Sequence, residues 1–203
     1  MKDFKQAIFF LGPPGAGKDT QAELLAEKLN LTLLSSGDIV RQNIKKDPEM
    51  QKIYDAGKLT PPEAMIKWTK KAIDLTKSFV FSGALRTLPE AKELILFLQE
   101  NRYKIKIFNI KISPAETIKR NLLRARDIAD TEDRIKERLK VYDEQTKPVL
   151  DFLGKKVIQI NGEQSIQNVH KDICNAFRRQ NFSPDYAGAC AACQARCVFA
   201  GTK

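Results

Sequence analysis

The residues with the most evident chemistry lie near the start of the chain, in Gly12-Pro13-Pro14-Gly15-Ala16-Gly17-Lys18-Asp19-Thr20-Gln21. Gly12, Gly15, Ala16 and Gly17 carry little side-chain bulk, so backbone N–H groups can converge on an anion. Lys18 adds a full positive charge where the β- and γ-phosphates of a nucleotide would sit. A helix starting at the end of this stretch contributes the positive end of its dipole. The general phosphate-loop pattern has Ser or Thr directly after the lysine to reach Mg²⁺. Here Asp19 occupies that position and Thr20 follows.

Flanking elements must hold such a loop. Ala7-Ile8-Phe9-Phe10-Leu11 reads as a fully buried strand. Gln21 to Leu29 reads as a helix, with Leu24, Leu25 and Leu29 on one face. A plain glycine-rich turn is the alternative, but glycine spacing, lysine and flanks together favour an anion cradle. Further strands are expected at Leu31–Ser35, Phe79–Phe81, Ile105–Ile112 and Val157–Ile160. In the fourth, Ile105 and Ile107 alternate with Lys104 and Lys106. Helices are expected from about Glu63 to Ile73, Glu90 to Asn101 and Ser165 to Arg179, with Ser113-Pro114 as the start of another. The fold class is therefore α/β, a parallel sheet wrapped by helices.

The 203 residues, 42% hydrophobic, suffice for one core with small subdomains. No apolar run approaches the ~20 residues that span a bilayer, and no signal peptide is expected, so a soluble, cytoplasmic protein without membrane association is the expectation. The net charge of +10 fits a basic surface, polyanion binding, or arginines gathered around phosphates. With no aromatic-rich RNA-binding signature, nucleic acid is not an expected partner. Cys174, Cys190, Cys193 and Cys197 offer only one CxxC pair, so zinc is disfavoured. The single histidine, His170, lies far from the motifs and is read as structural.

The decapeptide resembles the loop of adenylate kinases and related nucleoside monophosphate kinases, which have glycine at the Asp19 position and then Thr-Gln. The resemblance extends to about residue 178. Ser35-Ser36-Gly37-Asp38-Ile39-Val40-Arg41 is similar to the family's Ser-Thr-Gly-Asp-x-x-Arg; Gly57-Lys58-Leu59-Thr60-Pro61 to Gly-Lys-Leu-Val-Pro; Ser82-Gly83-Ala84-Leu85-Arg86-Thr87-Leu88-Pro89-Glu90-Ala91 to Asp-Gly-Phe-Pro-Arg-Thr-x-x-Gln-Ala. The resemblance implies a five-stranded, P-loop NTPase-like sheet within residues 1–180. It also implies an acceptor-binding insert at about 36–78, a short lid at about 124–134 without zinc cysteines, and a Cys/Ala-rich tail over 181–203, expected to be disordered. The implied reaction is reversible, Mg²⁺-dependent transfer of the ATP γ-phosphoryl group to a nucleoside monophosphate, with AMP favoured, by a monomer.

By the same resemblance, ATP falls to Gly12, Gly15, Ala16, Gly17, Lys18, Asp19, Thr20 and Arg120. The acceptor falls to Ser36, Arg41, Leu59, Thr60, Gly83, Arg86 and Glu90, with Arg41 and Arg86 on its phosphate. Lys18, Arg86, Arg124, Arg126 and Arg138 form the implied catalytic set, and Asp38 is implied near the metal. For Arg134 an ordinary solvated helix position is expected, as in the pair Glu132–Lys136.

The departures carry their own expectations. Ser82 replaces the strand-end aspartate that helps to hold hydrated Mg²⁺, while a carboxylate appears at Asp19. Asp19 either takes over part of the metal-holding role or points outward, favoured by the helix dipole alone. Glu90 stands where the family's glutamine reads adenine. An ionised carboxylate only accepts, which would weaken adenine selection and suit adjacent donors such as those of guanine. A shift of acceptor to GMP or a pyrimidine nucleotide, or a nucleotide-binding protein without catalysis, are the competing readings.

Overall fold

The computed structural model describes residues 4–45, 47–55, 59–124 and 131–181. Residues 125–130 of the expected lid (about 124–134), including Arg126, and the tail with Cys190, Cys193 and Cys197 lie outside the described residues.

Five strands, β1 (Lys5–Leu11), β2 (Thr32–Ser35), β3 (Phe79–Ser82), β4 (Tyr103–Lys111) and β5 (Val157–Asn161), form one sheet in the order β2-β3-β1-β4-β5. All four pairings are parallel, with Phe9 opposite Phe81 on one side and Ile107 on the other. Because a strand has period two, β1 sends alternate residues to opposite faces. Ala7, Phe9 and Leu11 join one core cluster; Ile8 and Phe10 join the other. Stacked rings continue across strands, Phe9 on Phe81 at 5.9 Å and Phe10 on Phe108 at 5.4 Å. Both faces are thus dry, which is why β1 reads as an unbroken apolar run.

Helices α1 (Lys18–Leu29) and α9 (Ile166–Asn181) cover the Ile8 face. The Phe9 face is covered by α2 (Ser36–Ile44), α4 (Pro62–Ala72), α5 (Leu88–Glu100) and α8 (Lys147–Leu153). Between β2 and β3 the chain also forms α3 (Pro48–Asp55), whose first turn is capped by Asp47 through the N–H groups of Glu49 and Met50. After β4 come α6 (Pro114–Arg124) and α7 (Glu132–Val141), then a π-turn over Tyr142–Thr146 that leads into α8. Ser113 caps α6 through the Glu116 N–H, as its Ser-Pro start implies.

One sequence expectation is corrected, and one alternating strand gains a covering helix. Helix α5 starts at Leu88 rather than Glu90, because Thr87 accepts from the Glu90 N–H as N-cap and Pro89 is tolerated in a first turn. In β4, Lys106 is not on a solvated face: it is buried, with its ammonium 4.2 Å from the Phe177 ring centre. Burial pushes its pKa down to about 8, with Lys104 adding to the shift. Lys106 is buried because α9, through Phe177, lies over this face of β4.

Of the apolar residues in α5, Leu94 and Leu98 are fully buried while Leu96 is half exposed. Leu94→Ala is therefore expected to cost about 2–5 kcal/mol in urea unfolding, and Leu96→Ala to stay within about 0.5 kcal/mol of the parent. Equal losses at the two positions would contradict this orientation of α5.

Candidate active site

All five strands point their carboxyl ends the same way, and the chemistry-bearing residues gather at that edge. After β1 the chain turns to the Ile8 face through α1; after β3 it turns to the Phe9 face through α5. The loops leaving these paired strands diverge, and the crevice they leave is where open parallel sheets take ligands.

On one side of the crevice lies the glycine-rich loop. Gly12 has φ +142°, and a Cβ there would stand 2.4 Å from the Ile110 carbonyl oxygen on β4. Only glycine lets the loop lie that close to the neighbouring strand. Gly15 and Ala16 follow, and Gly17 is the left-handed N-cap of α1 at φ +85°. Lys18 reaches back over the loop, donating to the carbonyls of Gly12 at 2.9 Å and Pro13 at 2.8 Å. Thr20 lies in the first turn of α1. Helix N-terminal N–H groups have no intrahelical acceptors, so this loop presents donors, a dipole end and a lysine together.

Asp19 is exposed, yet it is not pointing freely outward. Its Oδ1 accepts from the Ser82 hydroxyl at 2.5 Å, across the crevice from the end of β3. The two departures that stand 63 residues apart in sequence are thus in direct contact. Asp38, by contrast, pairs with Arg41 one turn along α2 at 2.6 Å. That bond, and the carboxylate's charge, hold the Arg41 guanidinium even more firmly protonated than usual.

Beyond β3 a cavity of ≈ 220 Å³ is lined by Ser36, Val40, Leu59, Thr60, Gly83 and Glu90, with Arg86 at its wall. Arg86 is exposed but anchored: Nε donates to the Gly83 carbonyl at 2.7 Å, and a terminal nitrogen donates to Ser36 Oγ at 3.0 Å. Gly83 has φ +76°, and a Cβ there would meet Ser36 Oγ at 2.8 Å. Tyr54, Met65 and Thr87 also line the cavity. Met65 serves the core and the cavity at once.

Glu90 is 2% exposed. Its Oε1 accepts from the Leu85 N–H at 2.8 Å and its Oε2 from the Arg86 N–H at 3.0 Å. Burial raises its pKa, and these backbone bonds oppose the shift. Leu85 itself has φ +58°, a left-handed conformation costing a non-glycine residue about 1–2 kcal/mol. Thr146, in the π-turn, donates to the Arg86 carbonyl at 3.1 Å. Sequence reading missed Thr87 and Thr146 as supports. The Thr-x-x-Glu spacing of Thr87 to Glu90 is a legible capping-box signal; Thr146 carries none.

Arg120 sits beside the glycine-rich loop, 3.6 Å from where a Gly15 Cβ would be. It is tied to Glu116 at 2.7 Å and to the Gly162 carbonyl at 2.9 Å. Arg124 ends α6, adjoining the undescribed segment. Arg134 and Arg138 are exposed on α7, which Ile135 anchors in the interior. His170 is partly buried, with Nε2 3.4 Å from Cys174 Sγ, away from these groups. Among the described residues, no group of three or more His, Cys, Asp or Glu side chains could hold a metal, and no helix is long and apolar enough to cross a membrane.

Comparison with known proteins decides the family. The model described as "Adenylate kinase" matches residues 10–158, which include the loop, the crevice and the cavity. The chain belongs to the adenylate kinase family. It is 36% identical to the adenylate kinase of Corynebacterium urealyticum, over 80% of this chain and 93% of that protein. It is 34% identical to that of Nocardia farcinica, covering 85% and 99%, and 34% identical to that of Methanocella arvoryzae, covering 86% and 99%. As in a family of phosphotransferases, the sheet is five-stranded, parallel and flanked by helices.

Gly12→Ala forces either backbone movement or a clash with Ile110 of β4. Strain of about 1–3 kcal/mol, if it falls on the ATP-bound loop, corresponds to a loss of ATP affinity of about 5- to 150-fold, measurable by titration calorimetry. Unchanged affinity would show that the loop does not need this close approach.

Proposed function

We propose that the chain catalyses reversible transfer of the γ-phosphoryl group of ATP to AMP, giving two ADP. The observation that carries this reading is the crevice between β1 and β3. A lysine-bearing glycine-rich loop stands on one side, and a partly open pocket with an anchored arginine stands on the other. Family membership supplies the nucleotide pair. A binding module would have less need of cations at both phosphate positions.

The reaction asks little covalent chemistry of the protein. A phosphate oxygen of the acceptor attacks the γ-phosphorus, and the bond from that phosphorus to the β–γ bridging oxygen breaks. The former donor leaves as ADP. Catalysis is positioning and charge stabilisation. In this reading Gly12, Gly15, Ala16, Gly17, Lys18 and Thr20 hold the ATP phosphates, and Arg120 lies toward the ATP base. Ser36, Gly83, Leu59 and Thr60 shape the acceptor pocket, and Arg41 and Arg86 hold the acceptor phosphate. Arg124, Arg126 and Arg138 close over both nucleotides and exclude water, a competing acceptor.

Mg²⁺, when bound, neutralises charge on the β- and γ-phosphates. The donors present fit a hard cation: Asp19 offers a second carboxylate oxygen, and the buried Ser82 hydroxyl fixes the first. A carboxylate beside an anion cradle repels the phosphates unless a cation lies between them, which supports a metal-facing Asp19. The contact of Asp38 with Arg41 leaves Asp38 a more distant role. We further propose a monomeric, cytoplasmic enzyme, since one chain supplies loop, pocket and arginines.

A coupled assay with Mg·ATP against AMP, GMP, CMP, UMP and dTMP tests the reading. Turnover greatest with AMP is expected; bound ATP with no transfer to any acceptor would overturn it. Asp19→Asn is expected to raise the Mg²⁺ concentration for half-maximal rate and to weaken Mn²⁺ binding followed by electron paramagnetic resonance. If neither changes, Asp19 serves only the helix dipole.

A further inference from the structure

Glu90 stands in the wall of the acceptor pocket, where a side chain that reads the base would be expected. Its geometry points to another task. Both carboxylate oxygens are already engaged by backbone, one by the Leu85 N–H and the other by the Arg86 N–H. These belong to consecutive residues, the first of them buried and held at positive φ. A non-glycine residue keeps that conformation only where its surroundings over-determine it.

The next residue is gripped from every side. The Arg86 N–H donates to Glu90, its carbonyl accepts from Thr146, and its guanidinium bonds Gly83 and Ser36. Glu90 in turn is fixed by its place in the first turn of α5, behind the Thr87 cap. A carboxylate is the group this arrangement requires. It offers acceptors on both oxygens, whereas an amide of the same shape offers one acceptor and one NH₂. With glutamine, one of the two backbone N–H groups would face another donor.

We infer that Glu90 is a positioning residue that clamps the Leu85–Arg86 backbone and so sets Arg86 at the pocket wall for the acceptor phosphate. The inference rests on the proposed function for the identity of that acceptor. It has a consequence that base reading does not share. A clamp on a phosphate-binding arginine acts equally on every monophosphate, whatever its base.

The test compares wild type with Glu90→Gln at saturating Mg·ATP, using AMP and GMP, with calorimetric binding of each nucleotide and thermal melts alongside. Expected is a roughly tenfold rise in KM and Kd for AMP, and the same factor for GMP, so that their ratio holds. The KM for ATP is expected to stay within about twofold, since the clamp lies on the acceptor side. In an Arg86→Ala background, adding Glu90→Gln is expected to change acceptor binding by less than about twofold. An AMP-to-GMP ratio that shifts several-fold would overturn the clamp in favour of base reading, and so would full additivity with Arg86→Ala. Unchanged acceptor binding would also overturn it. Thr146→Val, which frees the other end of Arg86, guards against a Glu90 variant that fails to melt cooperatively. It is expected to raise acceptor Kd alone, and an unchanged Kd there, with Glu90→Gln unfolded, would assign Glu90 to stability. A wild type that binds AMP yet transfers to no acceptor would sink the functional reading instead, and the binding arms would still decide the clamp.

Discussion

The close packing of β1 between β3 and β4 is the constraint on which the rest depends. A strand buried on both faces has no freedom to tilt, so its last residue fixes where the following loop begins. Gly12 then passes so close to the Ile110 carbonyl that no side chain fits. The opposite routing of the chain after β1 and β3 opens the crevice at this edge. The glycine-rich loop and the cavity beyond β3 are therefore placed relative to each other by the core itself.

The pattern of charge around the crevice follows one rule. This chain carries ten more cations than anions, yet several of its site cations are oriented by an acid or a carbonyl. Arg41 is turned by Asp38, Arg120 by Glu116 and Gly162, and Lys18 by the carbonyls of its own loop. Exposed pairs of this kind add little to stability. Their effect is to narrow the rotamers that long side chains sample before ligand arrives, which lowers the ordering cost of binding. Arg86 is likewise turned by the Gly83 carbonyl and by Ser36, and its own N–H and carbonyl are also bonded, so it depends on the shape of the turn between β3 and α5 as well.

That turn shows how a substitution can change the means while keeping the end. Where the family resemblance has Phe-Pro, this chain has Ala84-Leu85, and proline could not adopt the positive φ seen at Leu85. Two hydrogen bonds to a buried carboxylate supply the rigidity that a proline ring would supply covalently. In the same way the carboxylate absent at Ser82 reappears at Asp19, and the two side chains meet. Two pairs of departures, Asp19 with Ser82 and Leu85 with Glu90, are each joined by a hydrogen bond.

Sequence by itself determined the strand–loop–helix unit, the five parallel strands and the family, because each rests on local rules. Apolar runs, glycine spacing, proline at helix starts and a lysine at fixed offset are all readable over short stretches of chain. It also marked Asp19, Ser82 and Glu90 as departures. Which groups they touch was decided only by tertiary structure, since contacts between residues 63 apart, or between an α5 carboxylate and the turn before it, have no periodic signature. The same holds for Lys106, whose alternation with isoleucines looks solvated until α9 is laid over β4. Local chemistry names the groups, whereas burial and the meeting of distant chain segments determine which of their atoms remain available to a ligand.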